Sequence, residues 1–254
     1  MTTSSQPQPP QQPPLPPWPQ VDFSEFGAIE SVPLSRIQKL TGGYLSRNAT
    51  VIPHVTHHDE VDITALEALR ERLRQESGTK PTPLPFLVKA LARGLVQYPQ
   101  FNASLDAGGE HLIMKKYCHI GIAVDTPKGL LVPVLRDCDS KDVAALGAEI
   151  AAVSLQAREK GLPMKQMVGG CITISSLGGI GGTAFTPIVN APEVAILGVS
   201  KSSIQPVWNG KEFAPKLMLP LSLSYDHRVI DGALAARFTT YLSQVLADMR
   251  RVLL

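Results

Sequence analysis

A histidine flanked by two aspartates is the feature of this sequence best suited to chemistry. Within the segment Ser224–Gly232, His227 follows a predicted strand and precedes a turn at Asp231. The ends of strands and helices are common places for functional sites. A neutral imidazole accepts a proton near neutral pH, so His227 suits the activation of a thiol or hydroxyl nucleophile. A structural histidine is the alternative interpretation.

Two serines at the end of another predicted strand are candidate partners for His227. Ser175 and Ser176 complete the apolar run that begins at Cys171. A hydroxyl there can donate a hydrogen bond to an oxyanion that develops during acyl transfer. No local rule pairs either serine with His227, so the residues alone leave this pairing open.

A second histidine-rich segment, His54–Asp59, does not predict a metal site. On a strand, His54 and His58 share a face but lie about 13 Å apart at about 3.3 Å per residue. His57 and Asp59 alone supply too few ligands. We therefore expect no metal to be bound here.

The glycine-rich residues 177–182 do not fit a nucleotide-phosphate loop. The residues that follow are β-like and include Pro187 and Pro192, so no helix can begin directly after the glycines. A Walker lysine is also missing from the stretch. We expect these glycines to let the backbone approach a ligand or another chain.

Composition excludes several classes of function. The chain has 254 residues, of which 44% are hydrophobic, and a formal net charge of +2. This permits a sizeable core and gives no basic excess for nucleic-acid binding. Neither a bilayer-spanning apolar run nor a secretory signal is visible, so no membrane association is expected. Cys118, Cys138 and Cys171 are too few for a disulfide framework and predict buried, reduced thiols in a cytoplasmic protein.

The first 20 residues predict a flexible linker. They contain eight prolines, five glutamines and no charged residue. Such a segment cannot offset its chain entropy by burying apolar area. We therefore expect residues 1–20 to be a Pro/Gln-rich linker, which implies a preceding segment in a longer protein, and residues 21–254 to be one globular domain.

Hydrophobic periodicity predicts the elements that must position these residues. Helices are expected within 31–48, after Asp62 (with an apolar stripe that reaches Leu73), and within 82–98, 140–160 and 232–250. Strands are expected within 51–62, 101–105, 112–116, 118–124, 130–135, 171–175, 194–200 and 216–224. Gly42-Gly43 is expected to end the first helix, and Asp62 and Ser140 are expected to cap the second and the fourth. The irregular alternation favours an α/β sandwich with a mixed sheet over a parallel doubly wound sheet.

Several stretches together resemble the dihydrolipoamide acyltransferases, the core subunits of 2-oxo-acid dehydrogenase complexes. Asp226–Gly232 resembles the DHRxxDG signature of that family. The likeness covers nearly all of residues 22–254, in the family's order, and includes IPHVTHHDEVDITALEALR, GLLVPVLRD and ITISSLGGIGGTAFTPIVNAPEVAILGVSK. Residues 172–201 look most like the acetyl-transferring members of bacterial pyruvate dehydrogenase complexes. The Pro-rich start is similar to the linker that precedes the catalytic domain.

This resemblance implies a chloramphenicol acetyltransferase-like fold and a trimeric building block that assembles into a hollow cage. It implies that His227 is the general base for a thiol, that Ser175 hydrogen-bonds the tetrahedral oxyanion, and that Asp231 fixes the His227 loop. His227 and Ser175 would come from different subunits and meet in a passage between them. The isolated monomer is therefore expected to be inactive. The tail, Arg251–Leu254, is expected to pack between trimers.

The resemblance also implies substrates and partners. Coenzyme A is the expected acyl acceptor, the lipoyl group would come from a domain absent from this chain, and decarboxylase and dihydrolipoamide dehydrogenase subunits would complete the complex. The sequence does not choose which of Arg36, Lys39 and Arg47 would bind the coenzyme A phosphates. Three alternatives stay open: a succinyl or branched-chain acyl group, transfer to a hydroxyl, and a cage scaffold without turnover. A scaffold would need neither a base nor an oxyanion donor.

Overall fold

The structure, a computed structural model, describes residues 17–78, 81–248 and 250. The chain forms two units, Met1–Leu34 and Ser35–Leu254. In the first unit, Asp22 accepts the N–H of Ser24 (3.0 Å) and begins a short 3-10 turn, Phe23–Phe26. Most of the predicted linker and the whole predicted tail, Arg251–Leu254, lie outside the described residues.

The second unit contains helices and strands close to the predicted ones. The helices are α1 Arg36–Val51, α2 Thr64–Ser77, α3 Leu84–Gln97, α4 Val143–Glu159 and α5 Gly232–Ala247. The strands are β1 His54–Asp62, β2 Ala103–Leu105, β3 Leu112–Met114, β4 Ile120–Ile122, β5 Val134–Leu135, β6 Ile172–Ser176, β7 Ala195–Val199, β8 Ser203–Trp208 and β9 Phe213–Asp226. No helix in the described part of the chain is long and apolar enough to cross a membrane.

A seven-stranded mixed sheet organises this unit. The strand order is β1-β9-β7-β6-β4-β5, and β8 pairs with the outer part of β9. β6 runs parallel to both β4 and β7, whereas the other pairs are antiparallel. β2 and β3 form a separate hairpin. The predicted mixed sheet is therefore confirmed.

Alternation along β9 separates an apolar face of the sheet from a polar one. Leu221, Leu223 and Tyr225 belong to the main core, which also includes the buried residues of α3 and α5. Ser222 and Ser224 lie between them in sequence and point to the opposite face, because successive strand residues alternate. Each fully buried leucine contributes about 2 kcal/mol to stability. The core therefore fixes which residues reach the polar face.

The expectation that Gly42-Gly43 ends the first helix was wrong, because α1 continues to Val51. Two interior glycines cost about 1 kcal/mol each relative to alanine. Tertiary contact offsets this cost: Asn48 is buried and its Nδ2 donates to Val189 O (3.0 Å). The continuation brings the second half of α1 over the polar face of the sheet.

Three further expectations about local structure need correction. Asp62 accepts the N–H of Thr64 (2.9 Å) but lies one residue before the helix cap, Ile63. Ser140 does not cap α4; Asp142 does, accepting the N–H of Ala145 (2.7 Å). β8 was not predicted because it is an exposed edge strand interrupted by Pro206, and proline is tolerated at such edges.

The three cysteines, scattered in sequence, lie at neighbouring strand ends. Cys138 N–H donates to Cys118 O (2.8 Å), and Cys171 N–H donates to His119 O (2.7 Å). All three thiols are free and buried, as predicted. Burial raises the pKa of Cys118 and Cys171, and it raises the pKa of Cys138 to about 12. These thiols therefore stay protonated at neutral pH.

Candidate active site

Backbone hydrogen bonds fix the loop that carries His227. His227 N–H donates to Pro53 O (3.1 Å), and the N–H groups of Val229 and Ile230 both donate to Asp226 O (3.0 Å). The His227 side chain is exposed in the single chain. Its ring makes no hydrogen bond to the residues that the structure describes. The imidazole is therefore accessible to solvent in the single chain.

Asp226, the residue before His227, forms an ion pair with Arg228. Its buried carboxylate accepts Arg228 Nε at 2.9 Å and Nη2 at 2.7 Å, and it also accepts the Arg228 N–H (3.0 Å). These hydrogen bonds raise the pKa of Arg228. This pair was not predicted, although an acid and a base two residues apart were a visible signal. Asp226 thus stabilises the loop and does not orient the imidazole.

Asp231 closes the other end of the loop. Its side chain accepts the N–H of Leu234 (2.7 Å) as the N-cap of α5. Such caps are worth about 1 kcal/mol. Burial, followed by the charge of Asp231, raises the pKa of Tyr225. This geometry suits the predicted role of holding the loop, which stays a prediction.

Ser175 lines a cavity of about 290 Å³ on the polar face of the sheet. The cavity lies between β6, α1 and residues 185–190. Its lining comprises Thr41, Tyr44, Leu45, Asn48, Ala123, Leu130, Val132, Thr173, Ser175, Phe185, Pro187, Ile188, Asn190 and Ile196. None of these side chains is charged. Ser175 is half-buried, and its hydroxyl has no hydrogen-bond partner among the described residues.

The second half of α1 supplies cavity residues that the sequence analysis missed. Tyr44 and Asn48 lie beyond the expected end of the helix and line the cavity. Asn48 Oδ1 accepts Arg47 Nη2 (2.8 Å), and the Arg47 guanidinium lies 5.4 Å from the centroid of the Tyr44 ring. No local signal identifies them, because the continuation of α1 depends on the contact between Asn48 and Val189, which are distant in sequence.

Within one chain, Ser175 and His227 lie far apart. Ser175 pairs in register with Gly198, and Gly198 with Ser222. His227 lies five residues beyond Ser222 along the chain. At about 3.4 Å per residue and about 4.8 Å per strand, the two side chains are roughly 20 Å apart. At that separation the two side chains of one chain cannot both contact one reacting group.

Glu193 is a buried carboxyl that contacts two residues of the cavity lining, Thr173 and Asn190. Thr173 Oγ1 donates to its Oε2 (2.7 Å), and Asn190 Nδ2 lies 3.4 Å from its Oε1. A Cβ added to Gly170 would lie 2.5 Å from Oε1, so this glycine leaves room for the carboxyl. Burial raises the pKa of Glu193 to about 7, although the hydrogen bonds and Lys115 oppose the rise. Through these hydrogen bonds, Glu193 fixes the side chains of Thr173 and Asn190, two polar residues of the cavity lining.

Replacing Glu193 with glutamine is expected to remove a pH dependence of stability. The ordinary pKa of the carboxyl is 4.5, and the folded protein raises it to about 7. The stabilising contribution of the protonated form is therefore complete below 4.5 and is lost as the pH rises through 7. At about 1.4 kcal/mol per pKa unit, the loss is on the order of a few kcal/mol.

The measurement is the unfolding free energy or midpoint of the assembled protein between about pH 5 and about pH 8. The wild type should lose more stability over this range than Glu193→Gln. Glu159→Gln, at the exposed end of α4, is the matched control and should follow the wild type. Parallel curves for wild type and Glu193→Gln would contradict the prediction.

Two of the three histidines of β1, His54 and His58, make structural contacts. Val189 N–H donates to His54 Nε2 (2.9 Å), which leaves His54 Nδ1–H to donate to Ile52 O (2.9 Å). His58 Nδ1 lies 2.9 Å from Ser222 Oγ. Over residues 17–78, 81–248 and 250, no group of three or more His, Cys, Asp or Glu side chains could hold a metal ion.

Comparison with known proteins identifies a family. The family model for the catalytic domain of 2-oxoacid dehydrogenases acyltransferase matches residues 26–254. The chain is 59% identical over 242 residues to the dihydrolipoyllysine-residue acetyltransferase component of pyruvate dehydrogenase complex of Haemophilus influenzae. That match covers 93% of this chain and 43% of the relative, so the chain spans less than half of the relative's length.

Two solved structures align with a TM-score of 0.92 and 57% identity, covering 94% of this chain and 100% of the other. One is Azotobacter vinelandii dihydrolipoamide acetyltransferase, from an investigation of a serine, a histidine and an asparagine in its catalytic mechanism. The other is the cubic core of the pyruvate dehydrogenase multienzyme complex. A chloramphenicol acetyltransferase aligns with a TM-score of 0.56 at 14% identity, over 80% of this chain and 94% of that chain. The predicted chloramphenicol acetyltransferase-like fold is therefore confirmed.

Proposed function

Because the chain belongs to the 2-oxoacid dehydrogenase acyltransferase family, we propose that it transfers an acetyl group between a lipoyl dithiol and coenzyme A. In this proposal it forms the catalytic core of a pyruvate dehydrogenase complex. Residues 21–254 are the proposed catalytic domain, and residues 1–20 are the proposed linker.

The observation that carries this proposal is a shared spacing. The serine, histidine and asparagine investigated in the Azotobacter enzyme are separated by the same numbers of residues as Ser175, His227 and Asp231 here. This correspondence supports Ser175, His227 and Asp231 as the residues that build the active site of this chain. Asp231 replaces an asparagine, and both residue types accept amide N–H groups at helix N-caps.

The proposed chemistry begins with the thiol of coenzyme A. Free thiols have a pKa near 8.5, so a neutral imidazole within hydrogen-bond reach assists their deprotonation. His227 accepts the thiol proton while the sulfur attacks the carbonyl carbon of the acetyl-dihydrolipoamide thioester. The carbonyl oxygen becomes an oxyanion, to which the Ser175 hydroxyl donates a hydrogen bond. Collapse breaks the bond to the lipoyl sulfur, which takes the proton back from His227.

The separation within one chain supports a site shared between two chains. Ser175 lies roughly 20 Å from His227 along the sheet. Both would have to lie within about 3 Å of reacting atoms to act as a base and an oxyanion donor. A trimer in which His227 of one chain faces the Ser175 cavity of its neighbour satisfies this requirement. The neighbour would also cover the exposed imidazole.

The lining of the Ser175 cavity favours acetyl over succinyl. A succinyl group carries a second carboxylate, which needs a cation or several donors when it is buried. The described lining contains no lysine, arginine or histidine. It offers mainly apolar groups and a few hydroxyls and amides. A neutral acyl group fits this lining, and the choice among neutral groups depends on size.

The wider assembly follows from the same proposal. We infer trimers that assemble into a cage, a lipoyl group as the acyl carrier, and decarboxylase and dihydrolipoamide dehydrogenase partners. The three buried reduced thiols fit a cytoplasmic location. The basic residues Arg36, Lys39 and Arg47 remain candidates for the coenzyme A phosphates.

The test combines mass in solution with an acyl-transfer assay. The protein is expected to form a large homo-oligomer and to transfer acetyl from acetyl-coenzyme A to free dihydrolipoamide. Succinyl-coenzyme A serves as the comparison donor and is expected to react poorly. A large assembly without acetyl transfer would overturn the proposal and support the scaffold alternative. Preferred transfer of succinyl would overturn the assignment of the acyl group.

A further inference from the structure

Ser175 is bordered by small residues on the polar face of the sheet. Gly198 is its register partner on β7. On the other side lies Ala123, whose N–H continues the parallel pairing by donating to Ile174 O (2.9 Å). Along β6, Thr173 precedes Ser175 on the same face. An acyl group whose oxygen accepts from Ser175 and that lies along the sheet therefore extends over one of these three neighbours.

The space over Gly198 is occupied by an aromatic ring. A Cβ added to Gly198 would lie 2.8 Å from Phe185 Cζ and 3.0 Å from Phe185 Cε1, closer than atoms pack. Phe185 and Ser175 line the same cavity. The Phe185 N–H lies 3.5 Å from Ser222 Oγ, which helps to hold this segment against the sheet. The ring thus fills the position next to Ser175 that a side chain on β7 would otherwise take.

The space over the other two neighbours of Ser175, Thr173 and Ala123, is harder to enlarge. Thr173 is held by the hydrogen bond from its Oγ1 to Glu193 (2.7 Å). Ala123 lies on a strand-like segment and has only a methyl side chain, so truncation there would free almost no volume for a larger acyl group. Phe185 belongs to residues 177–193, which lie outside the regular strands and helices. Because Phe185 is not part of a strand, a smaller side chain at this position would enlarge the space beside Ser175 and leave the strand pairing unchanged.

We propose that Phe185 sets the upper size of the acyl group held beside Ser175, and that Gly198 is a glycine because the ring must lie there. This inference rests on the proposed acyltransferase function. The chemical class of substrate is a short, unbranched and uncharged acyl thioester. Longer or branched acyl groups would need the volume of the Phe185 ring.

The experiment measures acyl preference in the assembled enzyme. Acetyl-, propionyl-, butyryl- and isobutyryl-coenzyme A are compared as donors to dihydrolipoamide with wild type, Phe185→Leu and Phe185→Ala. A pocket discriminates a single methylene by about 10- to 200-fold. The ratio of kcat/KM for butyryl to acetyl is therefore expected to rise at least about tenfold in Phe185→Ala, with a smaller rise in Phe185→Leu.

Leu130→Ala is the matched control. Leu130 lines the same cavity but is 47% exposed, and the three heavy atoms nearest the position over Gly198 belong to Phe185 and Ser222. Its truncation should leave the butyryl-to-acetyl ratio unchanged. Assembly mass and thermal unfolding are recorded for each variant, and Phe185→Leu provides the test if Phe185→Ala does not assemble.

The outcomes separate this inference from the proposed function. Wild type that transfers acetyl, together with Phe185 variants whose acyl preference is unchanged, would overturn the inference alone. An equal change of preference in Leu130→Ala would overturn it too, because a general loosening of the cavity would then explain the effect. Wild type that transfers none of the acyl groups would overturn both.

Discussion

Replacing His227 with alanine is expected to lower kcat by about 10²- to 10⁴-fold, the usual contribution of a general base. The assembly should remain intact. The side chain is exposed in the single chain, and its ring has no hydrogen bond to the described residues. The loop is held by other groups, namely the carbonyl of Pro53, the Asp226–Arg228 pair and the Asp231 cap.

Steady-state transfer between acetyl-coenzyme A and dihydrolipoamide checks this expectation, together with mass in solution. Arg228→Lys is a useful control because it alters the loop beside the imidazole without removing the proposed base. It is expected to retain far more activity than His227→Ala. Turnover near that of wild type in His227→Ala would remove His227 as the base.

Assemblies that mix two inactive variants are expected to regain activity. Ser175→Ala alone should lower kcat by about 10²- to 10³-fold, the typical effect of losing one oxyanion donor. When Ser175→Ala and His227→Ala chains assort at random in equal amounts, about a quarter of shared sites receive an intact histidine from one chain and an intact serine from its neighbour. About a quarter of wild-type activity is therefore expected.

Co-expression with two different affinity tags, followed by sequential purification, yields assemblies that contain both chains. The control replaces one partner by the double variant His227→Ala/Ser175→Ala, which cannot complete any site. That mixture should stay as inactive as the single variants. If the first mixture showed no recovery above its components, Ser175 and His227 would not meet across a subunit boundary.

Much of the fold could be predicted because the periodicity of apolar residues in the sequence matches the pattern of buried residues in the structure. Along β9, Leu221 and Leu223 alternate with Ser222 and Ser224, and this pattern fixes both the strand and its two faces. α5 likewise follows its apolar stripe from the Asp231 cap. The extension of α1 past Gly42-Gly43 could not be predicted, because it depends on the contact between Asn48 and Val189, which are distant in sequence.

The sequence proposes candidate site residues but not their geometry, and these residues stay a prediction. His227 and either Ser175 or Ser176 can be proposed from the residues because each stands at the end of a strand and carries a suitable group, and the family resemblance then pairs His227 with Ser175. Their separation depends on the order of β6, β7 and β9 in the sheet, which no local pattern specifies. Glu193 was missed for a similar reason, because its partner Thr173 belongs to another strand.

The burial of the three cysteines has a consequence for the proposed chemistry, because it keeps their thiols from reacting with thioesters and disulfides. Lipoyl groups cycle between dithiol and disulfide, and acetyl groups travel as thioesters, so a reactive bystander thiol would be acylated or drawn into mixed disulfides. Exchange requires a thiolate, and Cys138, whose pKa is raised to about 12, supplies almost none at neutral pH. Cys118 and Cys171 are shielded in the same way. In the proposed reaction, the three buried thiols would therefore not compete with the substrate thiols for the acetyl group.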